Sequence, residues 1–247
     1  MAVKYLNISE AEFLASKSVH KFLSLERALQ LLESKKLWFS NPVIWKDPYE
    51  QRFILGTYDG GKKFTWLGRV YCMCITPIAT SEASWKAYSK EDFAVKFEFD
   101  RVEYVNILNN VSSQPGVMDV FLGTMDYQQT RKIERRLSKI EFSDNIKLPI
   151  TSKFFKARLL LLKRKAFRYE GEFRAIIVKN KKSGVDGITV DIPDIMKLVK
   201  SITIDPNIGE KEFEMIRNHL ISKFHFDKKQ IMKSRLYEAS TNPRIKN

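Results

Sequence analysis

The chain has 247 residues, 44% hydrophobic and 12% aromatic, which is ample for a packed core and excludes a disordered chain. Lys and Arg outnumber Asp and Glu by 43 to 29, a formal net charge of +14 that favours anionic partners. The longest aliphatic run, Leu159–Leu162, falls far below the roughly 18–20 apolar residues that span a bilayer, and the first ten residues lack an apolar signal segment, so a cytoplasmic chain without a membrane partner is expected.

Ser18–Phe22 reads as a short strand, and Ser24 as the N-cap of a helix with Leu25, Ala28, Leu29 and Leu32 at 3-4 spacing. Leu37–Ser40 is the next strand, stopped by Asn41-Pro42, and Trp45–Arg52 turns into a further helical piece. Gly60-Gly61 marks a loop. Arg69–Ile75 should be a buried strand carrying the two cysteines, Cys72 and Cys74, whose i, i+2 spacing suits reduced core thiols better than a disulfide. Glu82–Tyr88 is a short helix, and Phe93–Phe99 alternates strictly, as a half-buried strand does. From about residue 101 to 166 the pattern turns helical, with one long amphipathic run over Met118–Glu141, a break at Pro149 and a second run over Phe154–Lys165. Strands follow at 172–178, 188–192 and 199–205, then a helix at 211–224 and a last strand at 230–234. The reading is α+β: a single domain over residues 1–247, with a mixed, split sheet and a helical insertion at about 101–166.

The charge excess is local. Residues 151–182 carry a net +9 and residues 228–247 a net +5, which leaves the rest of the chain neutral. Two basic segments on a neutral body suit a polyanion, or simply a solvated lysine-rich face. Phosphate-binding glycine loops and a nucleophile elbow are both missing, and three His with two Cys offer no metal-ligand spacing.

Four clusters place polar groups where a purely structural chain has no need of them. They are His20-Lys21 on the first strand, Trp38-Phe39-Ser40 with Trp45-Lys46-Asp47-Pro48-Tyr49-Glu50, Ser84-Trp85-Lys86-Ala87-Tyr88, and Tyr169-Glu170-Gly171-Glu172-Phe173-Arg174. In an extended segment Glu170, Glu172 and Arg174 share one face, and two carboxylates that close raise one pKa unless a cation compensates. Each cluster also has a plain structural role open to it: indoles as core, Asp47-Pro48 as a helix start, the glutamates as an exposed strand face.

In their order these motifs resemble the bacterial family DUF2971, across roughly residues 18–238. Their layout is also similar to the three-motif pattern of ADP-ribosyltransferases. That resemblance implies an ADP-ribosyltransferase-like fold and a toxin or anti-phage effector that cleaves NAD+ and transfers ADP-ribose to a polyanion, with RNA as the expected acceptor. It implies Glu172 beneath the cationic ribose and Glu170 steering or deprotonating the nucleophile. His20 or Lys21 would hold the adenosine ribose or pyrophosphate, Trp38, Trp85 or Tyr88 would stack with Ser40 nearby, and Arg174 would neutralise the glutamates or contact phosphate. The basic run Lys163, Arg164, Lys165 and Arg168 would meet nucleic acid, and an antitoxin protein could cover it. The alternatives are a non-catalytic nucleic-acid-binding module and a metal-dependent nuclease drawing on Asp47, Glu50 and Glu172.

Overall fold

The alternation at 93–99 becomes a strand with Phe97 and Phe99 buried and Lys96 and Glu98 on the wetter face. The structure is a computed structural model that describes residues 2–47, 49–50, 57–58, 62–63, 67–79, 82–89, 93–135, 153–182 and 184–238. Besides a two-residue pair, Thr57–Tyr58 with Lys62–Lys63, its strands are β1 (Lys4–Leu6), β2 (Ser18–Ser24), β3 (Lys36–Ser40), β4 (Val70–Ile75), β5 (Ala94–Asp100), β6 (Val117–Thr124), β7 (Asp126–Gln128), β8 (Leu162–Arg164), β9 (Phe173–Lys179), β10 (Gly187–Asp191), β11 (Val199–Ile204) and β12 (Ile231–Lys233). The helices are α1 (Glu10–Leu14), α2 (Leu25–Ser34), α3 (Glu82–Tyr88), α4 (Arg101–Ser112), α5 (Lys153–Leu159), α6 (Ile195–Leu198) and α7 (Glu210–Phe224). Among the described residues no helix is long and apolar enough to cross a membrane.

Two mixed sheets carry the fold. The larger runs β1-β6-β9-β4-β3-β10 and the smaller β12-β11-β5-β2. In the middle of the larger sheet, β9 is buried on both faces: Ala175 and Ile177 join the core shared with the smaller sheet, while Ile176 and Val178 pack with Leu159–Leu162 on the far side. The sheets touch at one antiparallel bridge, His20 to Thr76, with both backbone hydrogen bonds formed at 2.7 and 2.9 Å. Beyond that bridge β2 and β4 part, and the gap between them is the cleft described below.

The α+β class holds, and the segment 101–166 needs correction. Its described residues, 101–135 and 153–166, do not form a helical insertion. After α4 it supplies β6, the strand between β1 and β9 in the larger sheet, then the parallel pair β7 and β8. Val117–Thr124 is apolar on both faces because both are buried, and such a run mimics a helical stripe when read by period alone. The second run is helical only to Leu159. Pro48, the Gly60-Gly61 loop, the Pro149 break and residues 136–141 lie outside the described residues.

Candidate functional site

The cleft has two lobes that share Lys21, Cys74 and Tyr88. The smaller, about 350 Å³, adds His20, Thr76, Ser84, Ala87, Lys163, Tyr169, Glu170 and Glu172. The larger, about 650 Å³, extends past Trp38 and Ser40 to helix α2. Both volumes fall in the range of small-molecule sites.

Glu170 and Glu172 reach the smaller lobe by a local device. Glu170 ends a short 3-10 turn, Lys165–Glu170, and Gly171 follows at φ +52° before Glu172 leads into β9. A side chain at 171 would be strained in that backbone, and its Cβ would lie 2.8 Å from the Ile78 side chain. The two glutamates are therefore not consecutive rungs of one strand face. They converge on a single ammonium: Lys163 Nζ lies 2.5 Å from Glu170 Oε2 and 2.9 Å from Glu172 Oε2. Thr76 Oγ1 donates to the Glu170 carbonyl at 2.6 Å, tying the turn to the residue that bridges to His20.

Behind Glu172 the charges continue inward. Arg174 Nε donates to Glu172 Oε1 at 2.8 Å, Nη1 to the Leu160 carbonyl at 2.5 Å and Nη2 to Glu50 Oε1 at 2.8 Å. The guanidinium lies 4.2 Å from the centre of the Trp45 ring. Arg164, next along β8, turns the other way to Asp47 at 3.2 and 3.3 Å and stacks 4.4 Å over Tyr49. Trp45, Asp47, Tyr49 and Glu50 thus hold two arginines, each with one aromatic ring and one carboxylate.

This network decides protonation. Burial alone would raise the Glu172 pKa. The charges of Arg174 and Lys163, with hydrogen bonds from Arg174 and the Cys74 thiol, outweigh it and hold the carboxyl down at about 2. Lys163 is desolvated too, yet Glu172, Glu50 and Glu170 keep it firmly protonated. Glu170 moves the opposite way from Glu172: burial raises its pKa, Lys163 opposes, and Glu172 and Glu50 add to the rise. One carboxylate is fixed as an anion and its neighbour is eased toward taking a proton, the division of labour that acid–base chemistry uses. Burial also lowers Lys21, partly offset by Cys74 and Glu172, and Lys21 Nζ donates to the Cys74 carbonyl at 2.9 Å. His20 is buried, and desolvation together with the Lys96 charge lowers its pKa to about 4, so it stands neutral.

The structure gathers His20, Lys21, Glu170, Glu172 and Tyr88 around the smaller lobe and Ser40 and Tyr88 around the larger. His20 and Lys21 both line the smaller lobe, although β2 stays paired with β5 through both residues. Three expected placements are corrected. Trp85 lines neither lobe; it packs edge-on against Phe22 in a small core with Ala94, since the α3 face it occupies turns inward. Arg174 is enclosed and faces Glu172 and Glu50, so it serves the glutamates and is closed to a phosphate. Of the basic run, Lys163 is buried between glutamates and Arg164 is clamped by Asp47 and Tyr49, which leaves Lys165 and Arg168 exposed. The sequence reading missed Thr76 and the carboxylate-binding role of Lys163. A lysine following Leu159–Leu162 was the available signal, since a cation next to a buried apolar run needs a buried anion.

No family model, curated protein or solved structure matches the chain.

Proposed function

We propose that the protein is an ADP-ribosyltransferase-type enzyme that cleaves NAD+ and transfers ADP-ribose to a polyanionic acceptor, RNA in the first instance. One observation carries the reading: a fixed carboxylate, Glu172, and a protonatable one, Glu170, stand together in a cleft where two sheets part, with the β2 residues His20 and Lys21 lining the same lobe. The motif order that resembles DUF2971 and the ADP-ribosyltransferase layout supports the same class, as does a mixed sheet split at the strand bearing those residues.

In this reading the bond from ribose C1′ to the nicotinamide nitrogen breaks, and its electron pair leaves with the neutral nicotinamide. The cationic ribose that remains is stabilised by Glu172, whose charge Arg174 and Lys163 hold in place. The acceptor's lone pair forms the new bond to C1′, and its proton passes to Glu170. The ionised Glu172 acts in a water-poor site, where a fixed charge counts for most. Lys165 and Arg168, the exposed members of the basic run, are left to meet the acceptor, and an antitoxin protein covering them would block access.

The test is incubation with labelled NAD+ and RNA, DNA or lysate protein. Label transfer with the native chain, absent with Glu172→Gln and at least a hundredfold slower with Glu170→Gln, supports the reading. Unchanged transfer in Glu172→Gln, or none with the folded native chain, overturns it. The nuclease alternative needs Asp47, Glu50 and Glu172 to converge. Instead Asp47 pairs with Arg164, and Arg174 lies between the other two.

A further inference from the structure

The larger lobe contrasts with the smaller in charge and in make-up. Among its described lining residues are three cations, Lys21, Arg27 and Lys36, and no carboxylate. Helix α2 supplies Arg27, Gln30, Leu31 and Ser34, an i, i+3, i+4, i+7 set that puts all four on one helix face. Strand β3 supplies Lys36, Trp38 and Ser40, alternate residues on one face of the strand. Trp38 is 47% exposed although it belongs to a sheet strand, and Thr189 faces it across the β3–β10 ladder. Its indole lies over Gly187, where a Cβ would come within 2.3 Å of the ring. That glycine is what lets the flat ring lie down along the lobe.

Two of these cations are loosely held, unlike those around Glu172, while Lys21 donates to the Cys74 carbonyl at 2.9 Å. Among the described residues the Arg27 side chain bonds only that of Gln30, at 3.3 Å, and Lys36 lies 3.6 Å from Asp191 with both side chains well exposed. Together these features make a concave site with an aromatic face for a base, hydroxyls for a ribose, and cations that an anion can claim without breaking a buried pair.

We propose that the larger lobe is a binding site for a nucleoside diphosphate, with Trp38 stacking on the base and Arg27, Lys36 and Lys21 holding the two phosphates. This deepens the function proposed above, because the shared neck at Lys21 would then join the diphosphate half of a dinucleotide to the reacting half beside Glu170 and Glu172. The site itself does not depend on cleavage.

The experiment is titration of the full chain with ADP, AMP and adenosine by calorimetry and by tryptophan fluorescence. ADP should bind more tightly than AMP and adenosine weakest, with quenching that Trp38→Phe removes. Arg27→Glu and Lys36→Glu should each weaken ADP about tenfold or more, the scale of one lost charge-assisted contact. Both positions are exposed, so unchanged thermal melting shows these variants are folded. ADP binding that depends on Arg27 and Lys36, with NAD+ left intact, keeps the site and removes the transferase. No ADP binding overturns the site, as does ADP binding indifferent to Arg27→Glu and Lys36→Glu. A short RNA oligonucleotide that needs these two residues and is not displaced by ADP also overturns it, making the lobe an acceptor channel.

Discussion

The two lobes of the cleft use charge in opposite ways. At and behind the smaller, Glu50, Arg174, Glu172, Lys163 and Glu170 alternate in sign, each ion within hydrogen-bond reach of the next and most of them buried. In the larger, Arg27 and Lys36 stand at the surface with weak neighbours. The buried row has little freedom, and removing one member strands a desolvated partner. The exposed pair can be lost at little cost to stability but remains free to respond to a ligand. Rigid charge suits reaction, and available charge suits binding.

The sharpest test of that contrast is Arg174→Met, which leaves Glu172 and Glu50 buried without their shared cation. It should cost about 3–5 kcal/mol, read from urea unfolding, with the pKa of Glu172 rising. A loss below about 1 kcal/mol would mean the row is not coupled.

The pH dependence of stability comes next. His20 is buried neutral, with its pKa lowered to about 4. Below about pH 6.5 the unfolded chain binds a proton there that the folded chain refuses, so stability is full above that pH. It falls by about 1.4 kcal/mol per pH unit until pH nears 4. His20→Gln should flatten this limb in melting curves taken from pH 7 to 4. Glu172 acts lower: its contribution is present above about pH 4.5 and is lost as the pH falls toward about 2.

Glu50→Gln removes a charged partner of Arg174 while keeping its shape, and should cost about 1.5–3 kcal/mol. Because the Glu50 charge helps to raise Glu170, the same change should lower the Glu170 pKa and shift the corresponding limb of the activity profile to lower pH. An unmoved limb would show that residues 45–50 act as a brace alone. Trp45→Leu, which takes the ring from over Arg174, should cost about 0.5–2 kcal/mol in the same unfolding assay.

The smallest effect belongs to the larger lobe. Arg27→Met should change unfolding stability by no more than about 0.5 kcal/mol while weakening ADP, the reverse of the Arg174 pattern. A stability loss comparable to that of Arg174→Met would erase the distinction between the lobes.

Local pattern determined much of this protein. Ser24 accepts from the Arg27 amide as an N-cap, Glu82–Tyr88 is the helix its composition suggests, and the alternation at 93–99 and the apolar run at 172–178 are strands. Those features depend on neighbours within a few residues, whose spacing the chain carries directly. The glutamate pair was legible as a candidate for the same reason: Glu170 and Glu172 are near in sequence and remain near in space.

Tertiary structure decided what each charge does. Nothing near Lys163 and Arg164 in sequence says that one turns to two glutamates and the other to Asp47, or that the cations of a basic run are half internal. Nor does local spacing tell that Trp85 is core while Trp38 lies open over Gly187. It could not separate β6, buried on both faces, from a helical stripe, because continuous apolarity has no period. Burial and partnership are set by residues dozens of positions away, so only the packed sheets could assign them.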